Sequence, residues 1–256
     1  MGSDQFETTP SSAGRDDPRD QQILLLGAFQ FVDGSSVLVL PGGSERLLAF
    51  LALRDRTVTR DATAGALWPN ATEAHAHAAL RSALSRLGTI TRRAVHVTPV
   101  NLAIEPGVRV DFHEAKAVAT QLLLSGGAPA AANTVATTIS LLSSELLPDW
   151  YDDWAILDAE NWRQLRLHAL EALAQHLADD GHFAPAIQAA LTAMEAEPLR
   201  ETATTTLIHI HLAEGNPSEA LIAYDRYQTL LQEELGLDPS PFLRELADAI
   251  RHPGDQ

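Results

Sequence analysis

Nine arginines and no lysine fall between residues 23 and 113, where seven acidic residues leave a net charge of +2. A guanidinium is a planar fork of five donors that keeps its charge, so it suits phosphate oxygens and the O6 and N7 acceptors of guanine better than an ammonium does. Six of the nine stand where such contacts are open to them: Arg60, Arg81, Arg86, Arg92, Arg93 and Arg109. His75, His77, Ser82 and Ser85 add polar groups around Arg81 at helical spacing, opposite or beside an apolar stripe of Ala76, Leu80, Ala83, Leu84 and Leu87. Arg81 is the candidate for reading a base edge, a contact that discriminates by about 1 to 3 kcal/mol. Arg60, Arg92, Arg93 and Arg109 are candidates for neutralising phosphate. An unperturbed imidazole charges below about pH 6.5, so His75 and His77 are expected to strengthen phosphate contact in acid.

Other chemistries find less support. Asp149, Asp152, Asp153 and Asp158 interleave with Trp150, Tyr151 and Trp154, a mixture that invites a catalytic-carboxylate or sugar-binding reading. Aspartates gathered where a helix begins are accounted for by the helix dipole, and the aromatics read as core. His75 and His77, like His209 and His211, are two residues apart on expected helices and point about 200° away from each other, so neither pair can share a metal ion. The sequence has no cysteine, HExxH, EF-hand loop, nucleophile elbow or phosphate-binding loop. No catalytic, cofactor or metal site is expected, and no enzyme.

The elements that must position the arginines follow from punctuation and periodicity. Of the 256 residues 45% are hydrophobic, enough for one or two cores, and no apolar stretch approaches the roughly 20 residues of a membrane span. Residues 1–22 are rich in Asp, Ser, Thr, Pro and Gly without the pattern of a secretion signal, and are read as a disordered tail on a cytoplasmic protein. Residues 23–31 (ILLLGAFQF) and 37–40 read as two strands around a turn. Three helices follow, the first capped at Ser44, the second opening at Thr59 and ending at Trp68-Pro69, the third opening at Thr72 and stopping at Gly88. Two Val- and Ile-rich stretches, split around residues 99–101 and running to residue 112, read as a β-hairpin that carries Arg92, Arg93 and Arg109. Strands, three helices and a hairpin are the element order of a winged helix over residues 23–113, whose third helix enters the major groove of double-stranded DNA.

From residue 114 to 250 the periodicity is helical throughout, with 7 basic against 22 acidic residues from there to the end. Gly181, Ala186 and Ile187 recur as Gly215, Ala220 and Leu221, displaced by the 34 residues of a tetratricopeptide helix pair. Tyr224 and Tyr227 replace Ala190 and Ala193 in the second unit, which predicts a differently lined groove. Residues 251–256 read as a tail. The fold class is therefore mainly α with a small α+β part.

ELLPDWYDDW (145–154), RQLRLHALEAL (163–173), EPLRE (197–201) and EELGLDPSPFLREL (233–246) resemble the bacterial transcriptional activator domain, and RLLAFLALR (46–54), GALWPNAT (65–72), LRSALSRL (80–87) and VRVDFHE (108–114) resemble a winged helix of the response-regulator output type. Together they are similar to the SARP family of transcriptional regulators. The resemblance implies an activator that binds promoter repeats, contacts RNA polymerase and assembles as a homo-oligomer on DNA. Proteins of this kind with the same LRSAL run tend to carry asparagine where Ala79 stands, tryptophan where Ser85 stands and basic residues where His75 and Gly88 stand. The expected reading helix is thus short of donors, and the alternative is a tetratricopeptide adaptor for a protein or effector whose winged helix has lost strong DNA binding.

Overall fold

The computed structural model describes residues 20–128 and 134–252. The expected tails lie largely outside the described residues, but strand β1 (Gln21–Leu24) and helix α11 (Pro241–Arg251) each reach into them. Gln21 is buried, with its amide donating to the Ile90 carbonyl at 3.0 Å, so it packs with the first elements of the chain.

The chain forms two compact units. The first runs through Phe112 and also takes in Leu147–Ile156; the second comprises His113–Leu146 and everything from Leu157 onward. In the first unit β1 pairs with β2 (Gln30–Asp33), which pairs with β3 (Ser36–Leu38). The apolar run 23–31 is thus two antiparallel strands, because Gly27 at φ 81° turns the chain where an L side chain would be strained.

Helix α1 (Gly42–Leu53) is buried on nearly every side over its last seven residues, the signature of a central helix. It starts two residues before Ser44, which is no cap: the serine is fully buried and its hydroxyl donates to the Ala83 carbonyl at 2.8 Å. After β4 (Val58–Thr59) come α2 (Arg60–Leu67) and α3 (Glu73–Arg86), capped by the Thr59 and Thr72 hydroxyls. The short α4 (Thr89–Arg92) leads to β5 (Val95–Val97) and β6 (Asn101–Ile104), an antiparallel hairpin that β4 extends to three strands. A turn in which Val108 N–H donates to the Glu105 carbonyl at 3.0 Å then takes the chain out of the hairpin. Strand β7 (Arg109–Val110) instead lies parallel to β1, completing the sheet β3-β2-β1-β7.

The second unit is the helical array: α5 (Asp111–Leu124), α6 (Val135–Ser143), α7 (Asp153–Asp179), α8 (Phe183–Ala196), α9 (Glu201–Glu214), α10 (Pro217–Leu235) and α11. The first residues of α5 and of α7 belong with the winged helix. Gly181 at φ 77° and Gly215 at φ 87° turn the chain at equivalent points of the 34-residue repeat, and Ala186 and Ala220 are both fully buried. Ala190, Ala193, Tyr224 and Tyr227 are all buried as well, so the tyrosines repack the interior and do not line a groove. The Tyr227 hydroxyl donates to the Leu199 carbonyl at 3.2 Å. No helix among the described residues is long and apolar enough to cross a membrane.

Candidate nucleic-acid interface

Helix α3 is held by its apolar stripe: Ala76, Leu80, Ala83 and Leu84 are buried, and Ser44 and Gly43 bring α1 close to Ala83. The opposite face is open, with Ala74, His75, Ala78, Arg81, Ser85 and Arg86 exposed and Ser82 half-buried. Arg81 and Arg86 make no hydrogen bond or ion pair with the described residues, which leaves both forks available. Other polar groups are partly committed. The Ser85 hydroxyl donates to the Ser82 carbonyl at 3.0 Å, and His75 Nδ1 lies 3.0 Å from the Thr72 hydroxyl of its own cap. His77 is turned towards α2, its Nε2 3.4 Å from the exposed Asp61 carboxylate. This places His77 at the contact between α2 and α3. Glu73 and Asp61 put negative charge in the first turns of α3 and α2, which suits the helix dipoles and opposes phosphate at those two points.

Arg60 is placed against the tip of the hairpin. Its backbone N–H donates to the Val100 carbonyl at 2.8 Å and its Nη1 to the Thr98 carbonyl at 3.4 Å, beside the first turn of α2. The tip residues Thr98, Pro99 and Val100 had carried no expected role; the only signal for them was the break between two strands. The hairpin itself holds no arginine: its polar pair is His96 Nδ1 with the Glu105 carboxylate, 3.0 Å apart. Arg92 and Arg93 lie in and just after α4, where Arg92 Nη1 donates to the Val95 carbonyl at 2.8 Å. Arg109 is exposed in β7, opposite Gln22 of β1. Placement on the wing is thus corrected for all three, because the strand carrying Arg109 leaves the hairpin and α4 is tied to β1 through Gln21.

The acidic-aromatic segment also has a different place. Leu147 N–H donates to the Leu25 carbonyl at 3.0 Å, Trp154 packs edge-on to Phe50 with centroids 5.4 Å apart, Trp150 lies 6.1 Å from Phe29, and Asp152 pairs with Arg46. Arg46 also donates to the Leu67 carbonyl at 2.8 Å, tying the end of α2 to the same aspartate. Tyr151, at 83% exposure, is no core residue. The described first unit therefore carries 9 basic and 11 acidic residues over 20–112 and 147–156, so the small basic excess expected for it is reversed. No group of three or more His, Asp or Glu able to hold a metal ion occurs among the described residues.

A winged helix followed by a tetratricopeptide-like array defines a class of transcriptional regulators. Residues 110–251 match the bacterial transcriptional activator domain. The chain belongs to the SARP family of transcriptional regulators. It is similar to the regulatory protein AfsR of Streptomyces coelicolor, 28% identical over 225 residues that make up 85% of this chain and 23% of that protein. The transcriptional regulatory protein EmbR of Mycobacterium tuberculosis is 30% identical over 249 residues, 88% of this chain and 62% of EmbR. A solved structure of Mycobacterium tuberculosis EmbR in complex with a low affinity phosphopeptide matches 93% of this chain and 66% of that one, with a TM-score of 0.69 and 25% identity. The chain thus spans less than two thirds of the curated relatives it matches.

Proposed function

We propose that the chain binds double-stranded promoter DNA through the exposed face of α3 and activates transcription by contacting RNA polymerase from the cytoplasm. The observation that carries this is the open α3 face, on which Arg81 and Arg86 have no partner among the described residues. Arg81 reads a base edge, with His75, Ser82, Ser85 and Arg86 around it, while Arg60 at the hairpin tip and Arg92, Arg93 and Arg109 near β1 meet phosphates. His77 supports α3 from α2. The second unit, with 7 basic and 22 acidic residues from residue 114 onward less the three aspartates of the linking segment, repels DNA and suits basic protein surfaces, including a polymerase. Binding at repeats brings copies of the chain together as a homo-oligomer on DNA. An adaptor that engages only proteins through the array gives no role to the open arginines of α3.

The test is equilibrium binding of the full chain to promoter duplexes between 50 and 200 mM salt. With about four phosphates neutralised, log affinity falls against log salt with a slope of about −3.6. Replacing Arg60 or Arg93 with alanine lowers that slope by about 0.9 and weakens all sequences alike. Arg81→Ala narrows the gap between specific and random duplexes by about 1 to 3 kcal/mol. Affinity without salt dependence would overturn the proposal.

A further inference from the structure

The hydrogen-bonding inventory of α3 narrows what kind of base sequence it can distinguish. Ala74, Ala78, Ser82 and Arg86 succeed one another at four-residue steps along one exposed ridge, with Arg81 and Ser85 beside it. The N-terminal residues of a reading helix are those that reach base edges. Here the ridge offers two methyl groups before its first hydroxyl, and the neighbouring Ser85 hydroxyl is spent on the Ser82 carbonyl at 3.0 Å. The fork next to the methyls, one turn from Ala78, is Arg81, which has no partner among the described residues. The short side chains also let the helix backbone approach the groove floor, since nothing on that ridge before Arg86 extends beyond a hydroxyl.

Resting on the DNA-binding reading above, we infer that α3 selects duplexes by apolar contact of Ala74 and Ala78 with thymine C5-methyl groups, next to a guanine held by Arg81. The thymine methyl is the one apolar group displayed in the major groove, and alanine is short enough to meet it at van der Waals distance. Specificity then depends on a methyl that carries no hydrogen bond, flanked by a single bidentate contact.

Deoxyuridine removes that methyl and leaves every hydrogen-bonding group of the base in place, which makes it the probe. Duplexes recovered by the full chain from a randomised pool are remade with each thymine in turn replaced by deoxyuridine, and affinities are measured by fluorescence anisotropy. One or two thymines next to a guanine are expected to lose about threefold to tenfold on replacement, the effect of removing one buried methyl contact. Ala78→Gly binds the thymine and deoxyuridine duplexes equally at one of those positions. Ala78→Ser, which lowers helix propensity less than glycine does and puts a hydroxyl against the methyl, also shrinks the difference, so a poorly folded glycine variant does not decide the matter. Deoxyuridine tolerated at every position by a chain that still recovers a defined sequence overturns this inference alone. Failure to recover any duplex overturns the DNA-binding reading itself.

Discussion

Two arginines show how little a residue type says by itself. Arg81 stands open on α3, whereas Arg166 of α7 is only 2% exposed, its Nη1 donating to the Leu142 and Ser143 carbonyls at 3.3 and 3.1 Å. Those carbonyls end α6, so the buried cation satisfies orphan acceptors at the negative end of a helix. Burial pushes Arg166 below the usual arginine value, partly offset by Glu145 at 3.8 Å, and it stays charged at neutral pH. Arg166→Ala is expected to destabilise the chain by about 3 kcal/mol in urea unfolding, and Arg166→Met by less because it keeps the apolar stem. Gly127 makes a second residue-scale case. It sits at φ 95°, and a Cβ there would lie 2.1 Å from the Ala172 carbonyl oxygen. Gly127→Ala therefore forces backbone to move and is expected to cost about 3 kcal/mol or more, read as a drop in melting temperature. In the sequence this glycine reads only as punctuation after α5, because the carbonyl it avoids comes from 45 residues further on.

Between elements, a polar network ties α7 to the segment between α8 and α9. Arg163 meets Glu160 and Glu197, while Arg200 meets Glu171 at 2.7 Å. Hydrogen bonds from Arg163 and then Gln164 pull the Glu160 carboxyl down to about 2, well below its ordinary value. A carboxyl whose pKa is depressed on folding stabilises fully above its unfolded value near pH 4.3 and loses that stabilisation as pH falls towards 2. Glu160 is half exposed, so the effect is screened to under about 1 kcal/mol. Acid titrations of wild type and Glu160→Gln should differ above about pH 4.5 and converge near pH 2. The helices themselves were legible from caps and periodicity: Thr59 and Thr72 start α2 and α3 as their side chains dictate. Ser44 misled, because a serine before an apolar run reads as a cap whether its hydroxyl meets its own helix or a carbonyl on another.

At the level of the molecule, the linking segment Leu147–Ile156 alters both stability and charge of the first unit. Leu147 sits at φ 45°, an uncommon conformation for leucine, and is buried there with its N–H on the Leu25 carbonyl. Trp154 covers Phe50, and Asp152 neutralises Arg46. A fragment of residues 20–112 is expected to be less stable than the same fragment with residues 147–156 appended through a flexible linker, by about 2 kcal/mol or more from aromatic and apolar burial. Chemical denaturation of the two fragments checks this, and equal midpoints would show that the segment adds nothing to the unit's core. The same segment brings three aspartates, so the proposed attraction to DNA rests on the placement of individual guanidiniums and not on the net charge of the unit.

Local order in the chain determined the kinds of elements and their sequence: a winged-helix series, then helices repeating every 34 residues, because capping hydroxyls, glycine turns and apolar stripes act within a few residues of one another. It also put Arg81 opposite the apolar stripe of its helix, since the face of an amphipathic helix follows from spacing alone. Tertiary structure alone decided which arginines stay open, which strand receives Arg109, and that the acidic-aromatic segment packs with the winged helix. Those outcomes depend on which distant carbonyl, carboxylate or ring lies within a few ångströms, a distance that separation along the chain does not encode.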